Sequence, residues 1–150
     1  MLKNLDPALS ADLLYALKSM GHGDTLVLAD ANFPSDSIAR QTVLGKVIRM
    51  DNISAPRALK AILSVLPLDT PLQPSVARME VIGKPDEIPE IQKEIQAEID
   101  AAEGQPAPMY AIERHAFYET AKKAYCVVAT GELRFYGCFI LTKGVIPPRE

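Results

Sequence analysis

The sequence is poor in the residues that hold metals and cross-links. It has two cysteines, two histidines and no tryptophan. A structural zinc site takes about four ligands. The four Cys and His stand at positions 22, 115, 126 and 138, with no CxxC or CxxH spacing, so no metal site is expected. GxGxxG and GxxxxGK[ST] are missing, which removes the nucleotide-binding loops. GxSxG is missing too, which removes the hydrolase nucleophile elbow. There is no basic excess: 16 Lys and Arg face 19 Asp and Glu, for a net charge of −3. A nucleic-acid partner is therefore not expected. The N-terminal stretch has no long apolar run, because Asp6, Asp12 and Lys18 interrupt it. Neither a signal peptide nor a membrane span is expected. Cys126 and Cys138 sit in apolar surroundings and read as buried reduced thiols, which suits a cytoplasmic protein.

What is present suffices for one domain of 150 residues. Leu13, Leu14 and Leu17 recur at helical spacing behind Ser10, which predicts a capped helix over Ala11–Met20. A second helix is expected over Ala55–Leu66, with Pro56 in its first turn. A third covers Pro89–Ala102, where Ile88, Ile91, Ile95 and Ile99 form a stripe. A fourth, short one covers Ala116–Tyr125. Strands are predicted at Thr25–Leu28, Val43–Arg49 as an edge, Val76–Ile82, Met109–Ile112, Cys126–Ala129 and Phe139–Leu141. Residues 29–41 and the proline-rich 67–74 read as loops, and Thr130-Gly-Glu132 as the turn joining the last two strands. The strand cores are continuous apolar runs and alternate with helices. That pattern is an α/β fold with helices on both faces of the sheet.

Four segments carry groups fit for chemistry. In Gly21-His22-Gly23-Asp24 two glycines flank an imidazole, whose ordinary pKa near 6.5 suits proton transfer at neutral pH. A tight turn with a surface histidine is the competing reading. Asp30, in Ala29-Asp-Ala-Asn-Phe-Pro34, follows a strand directly, where ligands gather in open α/β sheets. It can accept two sugar hydroxyls, or simply cap a turn. Arg114 opens a helix, where the dipole disfavours a cation, so its placement points beyond stability. His115 beside it reads as a packing or surface residue. Tyr136, Gly137 and Cys138 precede the last strand. Tyr136 offers a phenol, and Gly137 permits close approach to the backbone, although a tyrosine that simply packs is equally consistent. Together these groups suit a small polyhydroxylated ligand handled by proton transfer, without a cofactor.

Several segments resemble the D-ribose pyranase and L-fucose mutarotase family. They are Met1-Leu-Lys3, Met20-Gly-His-Gly-Asp24, Ala29-Asp-Ala-Asn-Phe-Pro34, Pro67-Leu-Asp69, Glu113-Arg-His-Ala-Phe-Tyr-Glu119, Thr130-Gly-Glu132, Tyr136-Gly137 and Lys143-Gly-Val145. Arg114 followed by Ala-Phe-Tyr resembles the fucose branch. The resemblance implies a three-layer α/β/α sandwich with a mixed, mostly parallel sheet. It implies interconversion of sugar anomers, with L-fucose the expected substrate. A ribose pyranase and a non-catalytic monosaccharide-binding protein remain the alternatives, with an oligomeric scaffold behind them. It also implies a homo-oligomeric ring, a decamer of two stacked pentamers, with sites near subunit boundaries. His22 matches the family's proton donor. Asp30 and Arg114 match substrate-binding positions, as do Tyr136, Gly137 and Cys138, where the family usually has Asn in place of Cys138. Tyr136 or Tyr118 is expected to complete the proton path. Tyr136 is placed with His22 as catalytic, and Tyr118 is placed among the substrate-binding residues.

Overall fold

The computed structural model describes residues 1–69 and 74–149. Eleven elements follow one another: α1 (Ala11–Ser19), β1 (Thr25–Ala29), α2 (Ser35–Ala39), β2 (Ile48–Met50), α3 (Ala55–Leu63), β3 (Val76–Met79), α4 (Glu90–Glu103), β4 (Tyr110–Ile112), α5 (Arg114–Ala121), β5 (Cys126–Thr130) and β6 (Phe139–Thr142). The strands form one sheet in the order β2-β5-β1-β6-β3-β4. β2, β5 and β1 pair in parallel, as do β3 and β4. β6 lies antiparallel between β1 and β3. The sheet is therefore mixed and mostly parallel, with one reversed strand near its middle.

Side chains alternate across each strand, and the two faces are covered differently. Leu26, Leu28, Cys126, Val128, Phe139 and Leu141 point to one face, under Leu13 of α1, Leu59 and Ile62 of α3, and Ile91, Ile95 and Ile99 of α4. Val27, Val127, Ile140 and Ala77 point to the other, under Ile38 of α2 and Phe117 of α5. Helices thus lie on both sides, giving three layers. The two cysteines are free and buried on opposite faces of the sheet, so they cannot pair with each other.

Helix ends follow local chemistry. Ser10 Oγ accepts the Leu13 amide at 3.2 Å, and Ser54 Oγ accepts that of Arg57 at 3.4 Å; such caps satisfy otherwise orphaned first-turn donors. The expected helix over 116–125 instead runs Arg114–Ala121, because the Glu113 carboxylate accepts the amides of His115 and Ala116 at 2.9 and 3.0 Å. Those two bonds also hold the Glu113 carboxyl below the usual range. Three other expectations are corrected. Residues 29–41 contain α2, too short to show periodicity. The edge strand is only Ile48–Met50, because the amides of Val43 and Leu44 donate to the carbonyls of Ala124 and Tyr125. The link after Thr130 is no tight turn, because β1 separates β5 from β6 and the chain must cross it. Of the proline-rich stretch 67–74, residues 70–73 lie outside the described residues.

Glu132 braces that crossing. Its carboxylate is almost fully buried and accepts Arg134 Nε at 2.9 Å, Arg134 Nη2 at 3.0 Å and the Ala55 amide at 3.3 Å. Its carbonyl accepts the Ala31 amide at 2.8 Å. Arg134 reaches on to Glu94 of α4 at 2.7 Å. The Arg134 hydrogen bonds hold the Glu132 carboxyl below its usual range. A carboxylate lowered on folding contributes stability above its unfolded pKa of about 4.3, and that stability is lost as pH falls through the folded value. Glu132→Gln should lower unfolding free energy at pH 7 by on the order of 2 kcal/mol, Arg134 being partly solvated. It should also flatten the acid limb below about pH 4.3; urea titrations at stepped pH measure both. Next to it, a Cβ at Gly131 would stand 2.1 Å from the Asp51 carbonyl oxygen. Gly131→Ala should cost about 2 kcal/mol and lower Tm by roughly 4–8 °C, read by calorimetry.

Candidate active site

Five strands run one way, so the carboxyl ends of β1, β3 and β4 share one edge of the sheet. β6 runs the other way and begins at that same edge. Asp30 leaves β1 there, Arg114 follows β4, Met79 ends β3, and Tyr136 to Cys138 lead into β6. The topology gathers into one place residues spread over more than a hundred positions.

These side chains line a cleft of about 220 Å³: Asp30, Asn32, Phe33, Met79, Ile82, Arg114, Tyr118, Phe135, Tyr136 and Cys138. That is smaller than the roughly 300–1,000 Å³ of drug-sized sites and suits a ligand of about one sugar ring. A larger hollow of about 570 Å³ shares Asp30 and Phe33 but opens toward α2, Arg49 and Asp51. It holds neither of the two phenols nor Arg114, which line the smaller cleft.

Within the cleft Arg114 and Tyr118 form a pair one helical turn apart. Arg114 Nε donates to the Tyr118 oxygen at 3.1 Å, and its guanidinium lies 5.5 Å from the ring centre. The Tyr118 oxygen beside it, with lesser help from Tyr136 and Glu113, raises the arginine above its ordinary pKa. Phe33 packs against Tyr118, with ring centroids 5.6 Å apart, and fixes that wall. Tyr136 adopts φ 62°, a left-handed backbone that costs a tyrosine about 1–2 kcal/mol. Its phenol oxygen accepts the Ile82 amide at 3.4 Å.

Asp30 is 5% exposed and largely occupied by the protein itself. Oδ1 accepts the amides of Asn32 and Phe33, each at 3.0 Å, and Oδ2 that of Gly137 at 3.2 Å. Gly137 does not line the cleft: a Cβ there would stand 3.0 Å from Glu132 and 3.3 Å from Asp30. Its missing side chain makes room for protein, where the sequence suggested room for a ligand. Cys138 does line the cleft. Burial first, and then the Asp30 charge, push its pKa well up and keep it a neutral thiol. Burial likewise pushes Cys126 up, to about 12.

His22 is not brought to this cleft within one chain. It precedes β1 while Asp30 follows it, and five strand residues span roughly 16 Å. Its turn is built at the opposite edge. Gly23 takes φ 85° and donates its amide to Lys143 at 2.9 Å, while the Asp24 carboxylate accepts the Gly21 amide at 2.7 Å. Lys143 Nζ donates to the carbonyls of Leu17 and Met20 at the end of α1. The imidazole stays well exposed, and its Nε2 lies 3.0 Å from Asp69 Oδ1. Asp69 lies in the Pro67-Leu-Asp69 segment of the resemblance, but its partnership with His22 across 47 positions was not legible, and it is a functional candidate that the residue-by-residue reading did not name. The apolar wall residues Phe33, Met79, Ile82 and Phe135 were missed as well, since nothing in their spacing separates cleft from core.

Among the described residues no cluster of three or more His, Cys, Asp or Glu could hold a metal ion. Among them, too, no helix is long and apolar enough to cross a membrane.

Comparison with known proteins agrees with this architecture. The chain is 46% identical to the fucose mutarotase of Danio rerio, covering 100% of this chain and 97% of that protein. Its structure superposes on that of protein Atu2016 with TM-score 0.96 and 73% identity, covering 98% and 97% of the two chains. It superposes on the fucose mutarotase of Streptococcus pneumoniae in complex with L-fucose with TM-score 0.86 and 41% identity, covering 97% and 100%. Residues 3–146 match the model of one family, and the chain belongs to it: the RbsD / FucU transport protein family.

Proposed function

We propose that this protein is a sugar mutarotase that interconverts the α and β anomers of L-fucose by acid–base ring opening and closure. The observation that carries the reading is the Arg114–Tyr118 pair inside a cleft of one-sugar size. Its similarity to fucose mutarotases, one of them holding L-fucose, supports the choice of sugar.

Ring opening needs a proton delivered to the ring oxygen and one removed from the anomeric hydroxyl. In this proposal His22 gives its proton to the ring oxygen as the bond from that oxygen to the anomeric carbon breaks. The anomeric hydroxyl's proton passes to the Tyr118 phenolate oxygen, which accepts from Arg114 Nε at 3.1 Å. The open aldehyde rotates and closes on its other face as both protons return. Asp69 holds the imidazole in place. Tyr136, already engaged by the Ile82 amide, serves in binding, together with Cys138 and the one side of Asp30 that faces the cleft. The gain expected from such positioned transfer is about 10²–10⁴-fold.

His22 then has to come from a second copy of the chain. The exposed Ile82 and Phe135 at the cleft, with Leu133 at the neighbouring hollow, are apolar surface fit for such a contact. The assembly we propose is a ring, the stacked-pentamer decamer of the family resemblance. Two buried thiols in one chain suit a cytoplasmic setting.

Saturation-transfer NMR on L-fucose, D-ribose and D-galactose tests the reading, with anomeric exchange expected fastest for L-fucose. Sugar binding by calorimetry without faster exchange would make the protein a binder. Furanose exchange on D-ribose would make it a pyranase. Tyr118→Phe should slow exchange about 10²-fold or more, well beyond Tyr136→Phe. His22→Ala and Arg114→Ala should each be inactive alone. Co-expressed in equal amounts they should recover about a quarter of wild-type exchange, because one site in four would draw its His22 from an Arg114→Ala copy and its Arg114 from a His22→Ala copy. No recovery would place both groups in one chain's site.

A further inference from the structure

We propose that Gln92 of α4 is a positioning residue for the cleft, acting through Tyr136 and Met79. The proposal rests on the mutarotase reading for its readout. Gln92 is fully buried, next to the isoleucine stripe of its helix, where an apolar residue would pack without a polar obligation. All of its main hydrogen-bonding groups are used. Nε2 donates to the Met79 carbonyl at 2.7 Å and to the Tyr136 carbonyl at 3.1 Å. Oε1 accepts Arg78 Nη1 at 3.2 Å. Arg78 is itself buried, and its Nη2 donates to the Pro85 carbonyl at 3.1 Å.

One amide therefore clamps two cleft-lining residues by their backbones. Met79 ends β3 opposite Cys138, whose carbonyl accepts its amide at 3.2 Å, and Tyr136 stands two residues before Cys138 on the approach to β6. Tyr136 is the residue in the left-handed conformation, and its carbonyl is the one Gln92 holds. Its phenol is held separately by the Ile82 amide. With its carbonyl released, the peptide is free to relax toward a common backbone conformation, and the phenol swings out of register with Arg114 and the sugar. Gln92 touches no cleft surface and makes its contribution from behind the wall.

Two variants separate positioning from packing. Gln92→Met keeps the volume and removes both donors. Gln92→Glu keeps the shape and can neutralise Arg78, yet its carboxylate cannot donate to the two carbonyls. Exchange of L-fucose anomers is measured against sugar concentration for each, with folding checked by circular dichroism and light scattering. We expect both variants to raise KM for L-fucose about tenfold, with exchange at saturating sugar changed less than threefold. If Gln92→Met does not fold, Gln92→Glu carries the test. A folded Gln92→Glu with wild-type KM would overturn the proposal and leave Gln92 as a partner for Arg78 alone. Wild-type protein that accelerates no sugar's exchange would instead overturn the mutarotase reading, which keeps the two failures apart.

Discussion

The buried carboxylate of Asp30 holds the cleft together. A charge at that depth must be matched by donors, because an unpaired one is costly. Here the donors are three backbone amides, two from the loop after β1 and one from Gly137, which lies 107 positions downstream. The carboxylate thereby fixes the end of a central strand against the start of its antiparallel neighbour. Phe33 is set in place by the same bonds, and Phe33 supports Tyr118. The walls of the cleft are thus consequences of one charge satisfied by main chain. The neutral state of Cys138 belongs to the same account, since a thiolate beside Asp30 would face both burial and like charge.

The second constraint is the direction of β6. Were it parallel to its neighbours, its leading residues would lie at the far edge with His22. Reversal brings Tyr136 and Cys138 beside Asp30, and carries Lys143 to the turn that holds His22. One strand therefore serves both edges: its start forms the cleft, and its end supports the imidazole. In the mutarotase proposal these two edges are half-sites, and His22 of one copy completes the cleft of another.

Much of this was legible in the residues. The Ile91, Ile95 and Ile99 stripe gave α4, the apolar runs gave the central strands, and Ser10 marked the start of α1. Gly-His-Gly and Ala-Asp-Ala-Asn mark His22 and Asp30 as candidates in the sequence. Strand order was not legible, because nothing local says that β6 inserts between β1 and β3. Without that order the separation of His22 from Asp30 is invisible, and so is the His22–Asp69 contact. α2 is too short for periodicity to register. Gln92 looks like any polar residue of an amphipathic helix until its depth is known. Gly137 shows a similar limit: a glycine signals that something comes close, and the sequence does not say that a Cβ there would meet Glu132 and Asp30.

The sheet order also governs how the chain can be made. β1 lies near the beginning of the sequence, yet both its neighbours come from the end, Leu26 pairing with Cys126 and with Leu141. Such distant pairings must close long loops before they are rewarded, and folds dominated by them form slowly. During synthesis β1 leaves the ribosome with an apolar strand and two open edges, and waits for about a hundred more residues before either edge is filled. The central strand of the finished sheet is therefore the most exposed to misassociation in the nascent chain. That exposure ends only when β5 and the late, reversed β6 have both paired with it.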